Sequence, residues 1–89
     1  MEQKRSKTRN LTGSTIRRLR VSHSFTQEML SARCNILGCN LTRGTLAKIE
    51  AGIRGVTDNE LLAIASSLHV KVDLLYPKNA LKSLRDTIL

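Results

Sequence analysis

Residues 26–52, TQEMLSARCNILGCNLTRGTLAKIEAG, decide the fold. Thr26 and Thr42 are hydroxyl residues suited to cap the free amides of a starting helix, and Gly52 suits a helix stop. Residues 35–41, NILGCNL, interrupt the apolar spacing, with Gly38 the residue most able to take a positive φ. The stretch therefore predicts two short helices joined by a turn. The first buries Met29, Leu30, Ala32 and Ile36. The second covers about residues 43–51, and at ~100° per residue Leu46, Ile49 and Ile53 share its core side. Its opposite side carries Gly44, Ala47, Lys48 and Ala51. Small side chains around one lysine permit close approach to another surface, and Arg43 and Thr45 reach past the helix end.

The segments around this stretch predict further helices that cover its apolar side. Upstream, a helix begins near residues 12–14, where Thr12 and Ser14 offer hydroxyl caps, and runs to about Ser22. Ile16 and Leu19 fit its core face, and His23 falls on the same side. Arg17, Arg18 and Arg20 fill the remaining faces; they are solvated, or one of them holds a carboxylate such as Glu28 or Glu50. Phe25, just before Thr26, can pack back as a hydrophobic staple. Downstream, Thr57-Asp58-Asn59-Glu60 matches a capping box. The helix it opens continues to about Leu68, with a wide apolar face from Leu61, Leu62, Ile64, Ala65 and Leu68. His69 then takes a left-handed turn position. A short fifth helix with Val70, Val72, Leu74 and Leu75 closes the core before Pro77.

Both ends stand apart from this core. Residues 1–11 form a basic arm with Lys4, Arg5, Lys7 and Arg9. It follows a phosphate backbone, enters a minor groove, or is a solvated tail. Residues 77–89 form a C-terminal tail or a short helix with Leu81, Leu84 and Ile88 on one side. That segment folds back, pairs with a second copy, or frays. The domain proper is residues 12–76.

Composition limits what the chain can do. Eighty-nine residues make one domain, and the 40% apolar content holds one Phe, one Tyr and no Trp, so the core is small and aliphatic. A domain this small gains from dimerisation. The formal charge is +8 and the pI about 10.4, which favours a polyanionic partner. All of the excess lies in residues 1–54, where only Glu2, Glu28 and Glu50 are acidic; residues 55–89 balance four cations against four acids. No apolar run has the length of a membrane span, and the basic N-terminus lacks the apolar region of a signal peptide. Two cysteines make no secreted disulfide framework, which points to a reducing cytoplasm. Cys34 and Cys39 with His23 and His69 lack the paired ligand spacing of a zinc site, so free thiols are expected and no metal or cofactor. No nucleophile–base set, phosphate loop or apolar carboxylate pair is present, so no catalysis is expected.

The order of motifs resembles the Cro/repressor-type helix-turn-helix domain, the Xre-like family. Its residues here are Ile16-Arg17-Arg18-Leu19-Arg20, Thr26-Gln27-Glu28 and Thr45-Leu46-Ala47-Lys48-Ile49-Glu50-Ala51-Gly52. Residues 57–62, Ala65, Leu68-His69-Val70 and Leu74-Leu75 complete the pattern. The resemblance implies an all-α, compact five-helix domain, with an extra C-terminal helix as an option. It implies the helix at about 43–51 in the DNA major groove and the preceding helix across the backbone. Position by position, Gln27 and Arg43 contact phosphate or base edges, Gly44, Thr45 and Lys48 face bases, and Arg54 borders the backbone. Three departures stand out. The turn is about four residues longer than the family's compact form, Gly44 occupies a place where a polar side chain is common, and His69 replaces a frequent glycine. The function implied is a sequence-specific double-stranded DNA-binding transcriptional regulator, a repressor acting as a homodimer. The rival is a protein-interaction module or antitoxin-like regulator that uses the same fold on a protein partner.

Overall fold

Threonine caps and left-handed turns set the helix boundaries. The computed structural model describes residues 10–82. They form α1 (Gly13–Ser22), α2 (Gln27–Ile36), α3 (Arg43–Glu50) and α4 (Asp58–Ser67), closed by a 3-10 helix at Val72–Leu75. There is no strand among the described residues. Helical backbone resumes at Ala80 and is described to Lys82. Residues 1–9, most of the expected basic arm, and 83–89, most of the expected C-terminal helix, lie outside the described residues.

Thr26, Thr42 and Thr57 cap α2, α3 and α4 as expected, their hydroxyls accepting from the amides of Met29, Thr45 and Glu60. Each such cap contributes about 1 kcal/mol. Glu60 returns the bond to the Thr57 amide, completing the capping box. The start of α1 differs from expectation. The Thr12 hydroxyl makes no cap; the Asn10 carboxamide does the work instead. Its Oδ1 accepts from the amides of Thr12 (3.0 Å) and Gly13 (2.6 Å), while its Nδ2 donates to the carbonyls of Ile49 (3.2 Å) and Arg54 (2.7 Å). Asn10, assigned by sequence to the arm, therefore belongs to the fold and ties the start of α1 to the end of α3. Gly13 makes this approach possible, since a Cβ there would collide with the Ile49 carbonyl.

All four α-helices end in one way. Ser24, Gly38, Gly52 and His69 have positive φ, and the residue after each donates its amide to a carbonyl five residues back: Phe25 to Arg20, Cys39 to Cys34, Ile53 to Lys48 and Val70 to Ala65. These are Schellman motifs, which satisfy the last carbonyls of each helix. His69 and Gly38 take the backbone expected of them; Ser24 does so without a sequence signal.

The core gathers Ile16, Leu30, Cys34, Leu41, Leu46, Ile49, Leu61, Ile64, Leu68 and Leu75, with Phe25, Val56, Val70 and Val72 packed against it. α2 packs on both α3 and α4, and α1 on α3 and the 3-10 helix. Several expected core residues are outside it. Met29, Ala32 and Ile36 are exposed, Ile36 to 83%, because α2 turns Leu30, Ser31 and Cys34 inward. Ile53 is exposed because the left-handed Gly52 carries it off the face of α3. Leu62 and Leu74 also face outward. The longer turn is shared between elements: α2 continues to Ile36, and the link to α3 is tied back by Ser31 Oγ and Asn35 Nδ2 (2.8 Å), both donating to the Leu41 carbonyl. Leu41, fully buried, plugs the core beneath this link.

Candidate nucleic-acid interface

The N-termini of α2 and α3 open on one cleft, lined by Arg20, Thr26, Gln27, Glu28 and Arg43. The first amides of each helix have no intrahelical acceptor and carry the positive end of the helix dipole. Two such ends beside Arg43 make a surface suited to phosphate oxygens.

Glu50, at the far end of α3, sets how the three helices meet. Its carboxylate is buried and takes a two-point bond from Arg20, Nε to Oε2 at 2.7 Å and Nη2 to Oε1 at 3.0 Å. Gln27 Nε2 adds a third donor to Oε1 at 3.1 Å. Arg20 Nη1 also reaches the Phe25 carbonyl at 2.6 Å. One carboxylate thus joins α1, the start of α2 and the end of α3. A buried pair of this kind adds little net stability over an apolar pair, but losing one partner strands a charge. Its use here is geometric, since it fixes α3 against α2. Arg20–Glu50 is one of the pairings left open by sequence; the role of Glu50 as the shared anchor was missed. The available signal was its rarity as an acid among residues 1–54.

The six residues singled out by sequence divide into two groups. Arg43, Gly44 and Lys48 are exposed on α3, and Thr45 beside them is half-buried. No atom obstructs the space over Gly44 apart from the Thr42 hydroxyl at 4.0 Å. Thr45 Oγ1 lies 2.9 Å from Thr42 Oγ1 and shares the cap of its own helix. Gln27 and Arg54 are more committed. Gln27 spends one Nε2 hydrogen on Glu50, leaving the other, its Oε1 and its backbone amide. Arg54 grips Glu60 through Nη1 and Nη2, both at 3.0 Å, and Nη1 also donates to the Gly55 carbonyl at 2.7 Å. These bonds hold the Glu60 carboxyl below the usual carboxylate range and raise the Arg54 guanidinium above its ordinary value. Arg54 is therefore a clamp between the α3–α4 loop and α4, reaching outward only with its remaining N–H groups.

Cys34 is a buried free thiol, 3.7 Å from Ser67 Oγ, and Cys39 is half-buried. Burial pushes both thiols up, away from reactive thiolate. Among the described residues no three His, Cys, Asp or Glu side chains converge as metal ligands, and no helix is long and apolar enough to cross a membrane.

A family model described as helix-turn-helix matches residues 16–75. The chain belongs to the Cro/repressor-type helix-turn-helix family. The match opens at Ile16 and closes at Leu75, both fully buried, so it spans the packed domain from end to end. In this helix-turn-helix domain α2 and α3 are the paired helices, and the chain is in general terms a DNA-binding regulator. No curated protein and no solved structure matches the chain.

Proposed function

We propose that this helix-turn-helix protein is a sequence-specific, double-stranded DNA-binding repressor that acts as a homodimer. α3 enters the major groove, and the start of α2 lies on the phosphate backbone. The supporting observation is the surface of α3: Leu46, Ile49 and Glu50 are buried, while Arg43, Gly44 and Lys48 are exposed beside the open N-terminus of α2. Arg43 and Lys48 can donate to base edges, Arg43 in a two-point bond to guanine. The bare backbone at Gly44 lets the helix approach closely, and Thr45 turns its hydroxyl from Thr42 to a base. The first amides of α2 and the free groups of Gln27 hold phosphate. Arg54 stays with Glu60 and borders the backbone. Two copies set their α3 helices about 34 Å apart, one turn of a near-palindromic site.

Duplex affinity against salt tests this reading. Fluorescence anisotropy with random duplex DNA should show a linear fall of log affinity with log salt, with slope about −0.9 per phosphate neutralised. The absence of duplex binding at low salt would overturn it.

A second reading has its own observation. Ile36, Leu37 and Leu62 are more than half exposed around adjoining clefts on α2 and α4, an apolar face suited to a protein partner, as in an antitoxin-like regulator. A stable complex with another protein, without duplex binding, would favour it.

A further inference from the structure

We propose that Cys34 and Cys39 form a redox-active dithiol, which a low-molecular-weight disulfide converts into a bridge within the chain. The proposal stands apart from the DNA reading. These are the chain's only cysteines, and the fold sets them together at the end of α2. In the Schellman motif that stops this helix, Cys34 is the third residue from the helix end and Cys39 the second beyond the Leu37 cap. Side chains at these two positions of the motif commonly meet. The Cys39 amide donates to the Cys34 carbonyl at 3.0 Å, and the Gly38 amide to Asn35 at 2.9 Å. The first bond would hold the two Cα atoms within about 7 Å even along a straight path. The path is bent, which brings the pair inside the span of up to about 6.8 Å that a disulfide bridges.

Burial and access divide the pair. Cys34 is fully buried, its Sγ 3.7 Å from Ser67 Oγ on α4. Cys39 packs against the same core and is half-buried. It lines a cleft of about 230 Å³ with Leu37, Gly38, Asn59, Leu62 and Ala63, and Leu37 and Leu62 are more than half exposed. Both thiols lie on the α4 side of the turn, where the Glu60 carboxylate adds to the upward push on each. Packing alone does not call for two thiols here, since Ala65 and Val70 fill the same two positions at the end of α4.

The cleft makes Cys39 the attacking thiol and Cys34 the resolving one. Cys39 Sγ gives its proton to solvent and attacks one sulfur of a small disulfide such as oxidised glutathione. One glutathione thiolate leaves and takes up a proton. Cys34 then loses its proton and attacks the Cys39 sulfur of the mixed disulfide, expelling the second glutathione. Two protein thiols are oxidised, and one small disulfide is reduced to two thiols. Because burial disfavours both thiolates, the first step is slow at neutral pH; the second crosses a single turn. The bridge ties the end of α2 to the link that leads into α3.

The test incubates reduced, folded full-length protein with oxidised glutathione at mildly alkaline pH, followed by acid quenching and mass spectrometry. Trypsin releases residues 34–43, CNILGCNLTR, as one peptide that holds both sulfurs. This peptide should be two hydrogens lighter, retain no glutathione, and regain both hydrogens on reduction. Cys34→Ser should keep glutathione on Cys39, and Cys39→Ser should stay unmodified over the time in which the wild type closes. Circular dichroism during the reaction confirms that the folded chain is the one reacting. An unchanged wild type, glutathione left on either of its cysteines, a bridge between two chains, or closure only in denaturant would overturn the proposal. If the buried Cys34→Ser variant does not fold, the wild-type peptide alone decides.

Discussion

At the scale of single residues, a few side chains divide into those proposed to read DNA and those that hold the fold. Arg43 and Lys48 are exposed and make no ion pair among the described residues, so their replacement tests reading alone. Arg43→Ala or Lys48→Ala should cost about 1–3 kcal/mol on a selected site and much less on random duplex, measured by anisotropy on both. Equal losses would make the residue a phosphate contact. Arg20 is a holding residue. Arg20→Ala leaves the Glu50 carboxylate buried without its charge partner and should lower unfolding stability by about 3–5 kcal/mol, read from urea denaturation. Glu60 gives a pH signature. Its folded pKa lies below the unfolded value, mainly through the bond from Arg54, so its contribution is present above the ordinary carboxylate range and is lost as pH falls through the folded pKa. Glu60→Gln should therefore be less stable than wild type at neutral pH, with the gap closing in acid. The long-range holding contacts do not show in local spacing: Asn10 meets Ile49 and Arg54 across 39 and 44 residues, and Arg20 meets Glu50 across 30.

At the scale of elements, the starts of α2, α3 and α4 were legible because a threonine cap acts on an amide three residues away, a distance that sequence displays directly; the start of α1 was not, since its cap is Asn10 and not Thr12. The phase of α2 was not. Its buried stripe includes Ser31 and Cys34, and Ser31 is satisfied by the Leu41 carbonyl across the turn, a partner that apolar periodicity does not reveal. Met29 and Ile36 were expected inside for the same reason, and the turn beyond them could not be placed until Leu41 was seen as a plug. Helix ends were legible at Gly38 and Gly52, and α1 stops at Ser22 as expected, but the left-handed backbone that Ser24 holds with a side chain was not. That conformation costs a non-glycine residue about 1 kcal/mol or more. Ser24→Gly should raise stability by about that amount, offset in part by the greater entropy of the unfolded glycine chain, seen as a higher urea midpoint with an unchanged m-value. A lower midpoint would show that the Ser24 side chain contributes more than its backbone strain costs.

At the scale of the whole molecule, charge and apolar surface are segregated. The half that carries α1 to α3 holds the full +8 excess, and Arg43, Gly44 and Lys48 are exposed there on α3. The neutral half supplies α4, the 3-10 helix and most of an apolar groove lined by Leu11, Leu74, Tyr76, Pro77, Ala80 and Leu81. The excess charge and the apolar groove thus belong to different halves of the chain. Composition showed this asymmetry, while the groove depended on which of Leu74, Tyr76 and Leu81 the fold left outside. The most direct test of sequence-specific reading by α3 is selection of bound oligonucleotides from a random duplex pool at moderate salt. Enrichment of a near-palindromic motif, with half-sites about one helical turn apart and lost on Lys48→Ala, is the predicted result. Recovery of unenriched sequence, or the same motif from the Lys48→Ala and Arg43→Ala variants, would contradict it.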